Sequence, residues 1–279
     1  MKRTLDLTPR PGEMLKPKEL MEIRGTGPLT LQDRRVFNTL VRHAWGPDLG
    51  KPGKWFEIPT GELRDDTDRN KRLQDTIERL MQTIVVVVEN GDDGEPLWEH
   101  RTPLLSSNSL IIGTNRGVFR YRFTEELVNQ LKDSTIFAKL DLEVMRSFRS
   151  KYAFSLYEAV ARRIRMKSFM EELSVEDLRE LLGVEDGRLT NYRNLNLRAI
   201  QPAIEEVNAI SPFAVSILPK KKGKKVVSFL MGWNAKSEDA LREAYAEMQR
   251  HSTGRRARID DTVQDTVEGE RLETPESEG

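Results

Sequence analysis

A chain of 279 residues, 37% hydrophobic and 32% charged, has room for one large domain or two ordinary ones. It has no cysteine, no secretory signal pattern at its start and no apolar run long enough to cross a bilayer, so we expect a cytoplasmic protein without disulfides or membrane spans. The formal net charge is zero, but residues 251–279 hold four Arg and eight acidic side chains. The other 250 residues carry 41 basic and 37 acidic groups, a net charge of +4, so a neutral total conceals an acidic tail.

The first half of the chain alternates helical and strand patterns after a short arm. Residues 1–16 contain Pro9, Pro11 and Gly12 and few large apolar groups, which predicts a flexible, extended arm. The predicted elements are, in chain order, a helix at 31–45 capped by Thr30, a strand at 56–58, a short helix at 61–66, a longer helix capped by Asp68 with Leu73, Ile77, Leu80 and Met81 on its inner face, and strands at 84–88, 97–100, 109–112 and 118–123, with turns at 90–94 and 113–117.

The second half repeats this order of elements. Ser174 and Asp177 suit the start of a short helix that ends at Gly183, and Pro202 should kink the following helix or delay its start. The predicted elements are a long helix at 142–166, a short helix at 177–182, a helix at 191–208 with Leu197, Ile200, Ile204 and Val207 on its inner face, strands at 213–218 and 226–233, and a closing helix at 237–250. From about residue 252 the chain has little to bury, which predicts disorder.

Helix, short helix, turn, longer helix and strand hairpin is the element order of a winged helix, and it occurs twice. The fold class we expect is therefore α+β, with two tandem winged-helix domains (each a helix-turn-helix plus a β-hairpin wing) and a disordered acidic C-terminal tail. The expected divisions are a flexible arm at 1–16, a first domain at 17–138, a second domain with a C-terminal helix at 139–250, and a tail at 251–279.

The second long helix of the second domain carries polar groups suited to reading bases in a major groove. Arginine pairs bidentately with guanine and asparagine with adenine, and the N-terminal part of such a helix reaches the base edges. The residues of this type are Asn191, Arg193, Asn194, Asn196 and Arg198. The alternative is an ordinary solvated helix face, which polar residues of these kinds usually form.

Two further basic clusters accompany this helix. The first domain has Arg69, Asn70, Lys71 and Arg72 at the corresponding helix start, where DNA contact and a merely charged, exposed face are equally good interpretations. The predicted wing of the second domain carries lysines, mobile point charges that suit phosphates better than bases. They are Lys220, Lys221, Lys222, Lys224 and Lys225.

Three segments of the second domain are distinctive: Ser150-Lys151-Tyr152-Ala153, the run from Leu178 to Val184, and the run from Ile200 to Asn208 followed by a Lys/Gly wing. These segments closely resemble those of theta-type plasmid replication initiators. Their order and spacing fit over about residues 140–235, and the layout of about residues 15–135 fits the same family. In the family pattern Arg149 and Lys151 are also placed for DNA contact.

The resemblance implies a function in the initiation of plasmid replication. Such initiators bind direct repeats (iterons) in duplex DNA at the plasmid origin as monomers, help to melt neighbouring AT-rich DNA, and recruit the host initiator and the replicative helicase. Many also dimerise through the first domain and repress their own gene at an inverted repeat. These expectations come from the family, not from composition or spacing.

Catalytic classes find little support in the sequence. The three histidines, His43, His100 and His251, lack the paired spacing of a replication nuclease, and the segment 46–52 lacks the spacing of a phosphate loop. We therefore predict no enzyme activity, no catalytic residues, no metal and no cofactor. The rival interpretation is a winged-helix transcriptional repressor without an origin role, which would bind one inverted repeat as a dimer.

Overall fold

The computed structural model describes residues 2–21, 23–63, 70–91, 95–110, 117–251, 253–255 and 257–259. In the first half of the chain the regular elements are β1 (Glu13–Pro17), α1 (Lys18–Met21), α2 (Leu31–His43), β2 (Phe56–Pro59), α3 (Asn70–Gln82), β3 (Ile84–Asn90), β4 (Pro96–Pro103), β5 (Leu105–Leu110), β6 (Val118–Phe123), α4 (Glu125–Lys132) and β7 (Phe137–Asp141). Of the short helix predicted at 61–66, residues 64–66 lie outside the described residues, and Thr60–Leu63 forms a 3-10 turn. The predicted Asp68 cap and the turn at 113–117 lie wholly or mostly outside the described residues.

The core of the first domain lies between α2, α3 and a three-stranded sheet. The strand order is β2-β6-β5, and all neighbours are antiparallel. Alternation along β6 buries Phe119, Tyr121 and Phe123 against the helices, as a half-buried strand requires. The hairpin β3–β4 is inserted between α3 and β5 and pairs only within itself among the described strands.

The N-terminal residues are not a flexible arm, so that prediction is wrong. Strand β1 pairs with β7 over its whole length, and Met14 and Leu15 are buried. Leu5 is also buried, and the Thr4 backbone N–H donates to the Ser134 carbonyl at 2.6 Å. The Pro and Gly residues only shape the turns between these contacts. The paired residues lie 120 to 128 positions apart in sequence, so no local pattern could reveal the pairing.

The second half builds the same arrangement. Its regular elements are α5 (Leu142–Ser147), α6 (Lys151–Arg163), β8 (Met170–Ser174), α7 (Val175–Leu182), α8 (Tyr192–Leu195) with a π-helical turn (Asn196–Ile200) and α9 (Gln201–Ile210), β9 (Phe213–Lys222), β10 (Lys225–Ala235) and α10 (Glu238–Gln249). The strand order β8-β10-β9 repeats β2-β6-β5, and Phe229, Met231 and Trp233 are the buried residues of the central strand. Two winged-helix domains are therefore confirmed.

The single helix predicted at 142–166 is wrong, because the chain breaks it at residues 148–150. Phe148 is extended, and Ser150 starts α6 by accepting hydrogen bonds from the backbone N–H groups of Tyr152 and Ala153. The carboxylate of Glu206 accepts the N–H groups of Arg149 and Ser150 at 2.7 and 3.0 Å. These contacts replace helical hydrogen bonds across the break.

Helix α6 joins the two domains through a buried polar cluster. Glu158, 7% exposed, accepts hydrogen bonds from Lys16 Nζ and Asn38 Nδ2, both at 2.8 Å. Burial lowers the pKa of Lys16, which the neighbouring Glu158 carboxylate opposes. A buried charge that loses its partner is costly, so this cluster fixes how α2 and β1 meet α6.

The predicted disorder from residue 252 is wrong for the first part of that segment. Arg255 is 5% exposed; its Nη1 donates to the Ser147 carbonyl at 2.9 Å and lies 3.5 Å from Glu206 Oε1. Residues 260–279 lie outside the described part of the chain. None of the described helices is long and apolar enough to cross a membrane.

Candidate nucleic-acid interface

The helix-turn-helix of the second domain begins with two strong helix caps. Ser174 Oγ accepts the Asp177 N–H at the start of α7, and Gly183 ends the helix with φ +67°. The guanidinium of Arg179 then donates to the carbonyls of Arg188 and Leu189 at 2.6 and 2.9 Å, across the turn. This ties the turn to α7 and fixes where the next helix starts.

That next helix runs from Tyr192 to Ile210 with a π-helical turn inside it. Asn191 caps it, since its Oδ1 accepts the Asn194 N–H at 2.8 Å. The π turn ends with a bond from the Gln201 N–H to the Asn196 carbonyl, directly before Pro202, which has no N–H to give. The predicted disturbance at Pro202 is thus a change of helical pitch, and the helix does not start late.

Leu197, which was predicted to face the core, lies in the π turn and faces outward. Leu197 is 54% exposed, whereas Leu195, Ala199 and Ile200 are buried. A regular helix advances about 100° per residue, so one additional residue in a turn rotates the preceding segment by about that angle relative to the following one. The inner face is therefore not the regular stripe predicted from Leu197 to Val207.

The outer face of this helix, which we call the reading face, comprises Arg193, Asn194, Asn196, Leu197, Arg198 and Gln201. Both arginines, Leu197 and Gln201 are exposed, and the two asparagines are half-buried. The side-chain oxygen of Asn191, a further predicted reading residue, accepts the Asn194 N–H as the helix cap. The arrangement offers guanidinium, amide and apolar groups side by side on one surface.

The wing is the hairpin of β9 and β10. Gly223, with φ +63°, and Lys224 form its two-residue tip between paired Lys222 and Lys225, which suits a turn that needs positive φ first. Lys221, Lys222, Lys224 and Lys225 are exposed. Lys220 is different, because its Nζ lies 2.6 Å from Glu172 Oε2; this bond lowers the pKa of Glu172.

Of the two residues taken from the family pattern, one faces the first domain. Lys151 Nζ donates to the Gly27 carbonyl at 2.6 Å, and burial lowers its pKa. Gly27 is needed at this junction, since a Cβ there would lie 2.6 Å from Glu185 Cα. Arg149 is exposed, and only its backbone N–H is held, by Glu206.

The predicted reading helix of the first domain is α3. It begins at Asn70, Arg69 lies outside the described residues, and nothing is described of the side chains of Asn70, Lys71 and Arg72. The structure therefore places the predicted residues Arg193, Asn194, Asn196 and Arg198 on one helix and the wing lysines on a separate hairpin, turns Lys151 toward the first domain, and leaves the first-domain cluster as a prediction.

One pair of arginines on the surface was not among the predicted site residues. Arg120 and Arg122 of β6 lie over the ring of Trp55, at 4.8 and 5.1 Å from its centroid, on the outer face of the first-domain sheet. The alternation Val-Phe-Arg-Tyr-Arg-Phe over Val118–Phe123 could have shown that both arginines point away from the core. Their cation–π contacts with Trp55 hold this face together.

Two family models match this arrangement of domains. A model described as "Initiator Replication protein, WH1" matches residues 13–161, and one described as "Initiator Rep protein, WH2" matches residues 174–233. The chain belongs to the initiator replication protein family. The first match covers α6, which lies within the predicted second domain; α6 contacts both domains, and the boundary at residue 138 stays a prediction.

A solved structure shares the fold of this initiator. The Pi initiator protein in complex with iteron DNA matches with a TM-score of 0.52 and 17% identity, covering 81% of this chain and 98% of that one. At this identity the likeness shows the fold alone. No curated protein matches this initiator by sequence. Among the described residues, no three His, Cys, Asp or Glu side chains are grouped to hold a metal ion.

Proposed function

We propose that this protein initiates plasmid replication by binding direct repeats, iterons, in duplex DNA at the origin. The observation that carries the proposal is the second domain, where a capped, exposed reading face accompanies a wing whose tip carries exposed lysines. Family membership supports the initiator role, and the Pi initiator of the same fold is solved on iteron DNA.

The proposed binding divides the work between two surfaces. The reading helix enters the major groove, where Arg193 and Arg198 pair with guanine edges, and Asn194 and Asn196 pair with adenine edges. The wing lysines contact phosphates and carry no sequence information. Each neutralised phosphate releases condensed counterions, so affinity falls steeply with salt concentration.

Further roles belong to the same proposal. Bound at repeated sites in the bacterial cytoplasm, the protein promotes opening of adjacent AT-rich DNA and recruits the host initiator and the replicative helicase. A homodimer formed through the first domain represses the protein's own gene at an inverted repeat. The acts proposed are binding and recruitment, and they require no enzyme chemistry.

The deciding experiment is a footprint of the purified protein on DNA that flanks its own gene. Protection of several equally spaced direct repeats, with one monomer on each, supports the proposal. Protection of a single palindrome at the promoter, with no repeats nearby, would replace it with the transcriptional repressor.

Two kinds of variant test the division of labour. Arg193→Ala should cost about 1–3 kcal/mol on the specific site and little on random DNA. Lys222→Ala should weaken binding to both alike and reduce the salt slope by about one. Lys220→Ala should have a smaller effect, because Lys220 is paired with Glu172. Arg242→Ala, on exposed α10, is the control; equal losses for all four variants would contradict the assignment.

A further inference from the structure

We infer that Leu197 selects thymine in the recognised DNA by contacting its C5-methyl group. The inference rests on the proposed function, and its starting point is an apolar side chain, 54% exposed, among polar neighbours on the reading face. Arg193 and Gln201 are exposed four residues to either side of it, the spacing of adjacent helical turns, and the next residue in sequence, Arg198, is exposed as well.

The helix holds Leu197 outward firmly. Leu195 on one side and Ala199 and Ile200 on the other are buried, at 2% exposure or less, so the core already has its apolar residues from this segment. The π-helical turn over Asn196–Ile200, followed by Pro202, determines the helical pitch that directs these side chains. Turning Leu197 inward would require one of those buried residues to turn out.

The chemical groups in the major groove limit which bases an apolar side chain can contact favourably. Adenine, guanine and cytosine present donors and acceptors there, and thymine alone among the four standard bases adds a methyl group. A leucine against a cytosine N4 amine would leave a donor without an acceptor, which costs more than the contact gains. Leu197 therefore favours a thymine close to the bases read by Arg193 and Arg198.

Deoxyuridine tests this directly, because it keeps every hydrogen-bonding group of thymine and lacks only the methyl. The full chain is titrated, at fixed salt, onto duplexes of the footprinted repeat in which each thymine is replaced singly. We expect one or two positions at which wild-type affinity falls about fourfold, the equivalent of burying one methyl-sized group. Leu197→Ala should weaken binding to the thymine duplex by at least as much and lose the sensitivity to uracil at those positions only.

Leu241→Ala is the matched control, an exposed leucine of α10 outside the reading face. It should keep both the affinity and the uracil sensitivity of the wild type, and melting curves should show all three proteins equally folded. The inference is overturned if Leu197→Ala keeps the uracil sensitivity, if no thymine matters, or if its affinity falls equally on random DNA. Failure to protect any repeat overturns the proposed function first, which separates the two failures.

Discussion

In both domains a buried carboxylate joins the predicted reading helix to the first helix, but the carboxylate lies on the first helix in one domain and on the predicted reading helix in the other. In the first domain the carboxylate is Asp33, on α2, and it accepts two hydrogen bonds at 2.8 Å from Arg79 on α3. In the second it is Glu206, on the reading helix itself, and it accepts the backbone N–H groups at the start of α6.

The difference in partner changes the electrostatics. Burial alone would raise the pKa of Asp33, but hydrogen bonds from Arg79 and Thr30 outweigh it and leave the pKa below its usual value. Burial raises the pKa of Glu206, and the amide hydrogen bonds and Arg255 compensate only in part. The hydrogen bonds from Arg79 and Thr30 thus outweigh burial at Asp33, whereas the two amides and Arg255, which lies 3.5 Å away, do not outweigh burial at Glu206.

The two carboxylates also differ in how far along the chain their partners lie. The contacts of Asp33 are closer in sequence, since its carboxylate accepts the Thr30 N–H in the capping box of α2 and meets Arg79, 46 residues later. Glu206 depends on Arg255, which comes from beyond α10 and is itself buried against Glu206 and Glu247. The predicted reading helix of the second domain is therefore contacted by the C-terminal segment, whereas that of the first domain is joined to α2 through Arg79 and Asp33.

The largest effect is expected at Glu206. Glu206→Ala removes the acceptor of two amides and leaves Arg255 buried with less counter-charge, at a cost of about 3–5 kcal/mol in the free energy of unfolding. Chemical denaturation measures it. Glu205→Ala, on the adjacent and half-buried residue, is the control, and a similar loss there would show that the helix simply tolerates no alanine at this point.

A smaller loss is expected at Asp33. Asp33→Asn weakens the charge-assisted bonds from Arg79, but Arg79 is 38% exposed and can be hydrated, so we expect about 1–3 kcal/mol by the same measurement. Glu78→Gln, on the exposed side of α3, should change stability little. If Asp33→Asn costs more than Glu206→Ala, the ranking of the two links is wrong.

The smallest effects concern pH and have opposite signs. The pKa of Asp33 is lowered by folding, so its contribution to stability is present above its unfolded pKa and is lost as the pH falls through the folded pKa. The pKa of Glu206 is raised, so its contribution is present below its unfolded pKa and is lost as the pH rises through the folded pKa.

Unfolding of the wild type, Asp33→Asn and Glu206→Gln between about pH 3 and pH 7 separates the two. The stability difference between the wild type and Asp33→Asn should grow as the pH rises. The difference between the wild type and Glu206→Gln should shrink over the same range. Parallel curves for both variants would show that the two carboxylates sit in equivalent environments.

Local chemistry in the sequence was enough for the architecture and much of the candidate interface. Several of these features depend only on residues close in sequence, so the sequence alone can predict them. They are the helix caps at Thr30 and Ser174, the helix end at Gly183 and the hairpin tip at Gly223. Their order along the chain, repeated twice, predicted two winged-helix domains, and the polar run from Asn191 to Arg198 predicted a reading helix.

Only the tertiary structure decided the remaining features, because each depends on residues far apart in sequence. Strand β1 forms by pairing with the distant strand β7. The break before α6 is stabilised by Glu206, more than 50 residues later, which accepts hydrogen bonds from backbone N–H groups that a continuous helix would use. Leu197 faces outward because a π turn precedes Pro202, a change of pitch that a 3.6-residue pattern does not foresee. Helix capping and turn formation depend on interactions between residues close in sequence. Strand pairing and burial depend on contacts between segments that are far apart in sequence and come together only in the folded protein.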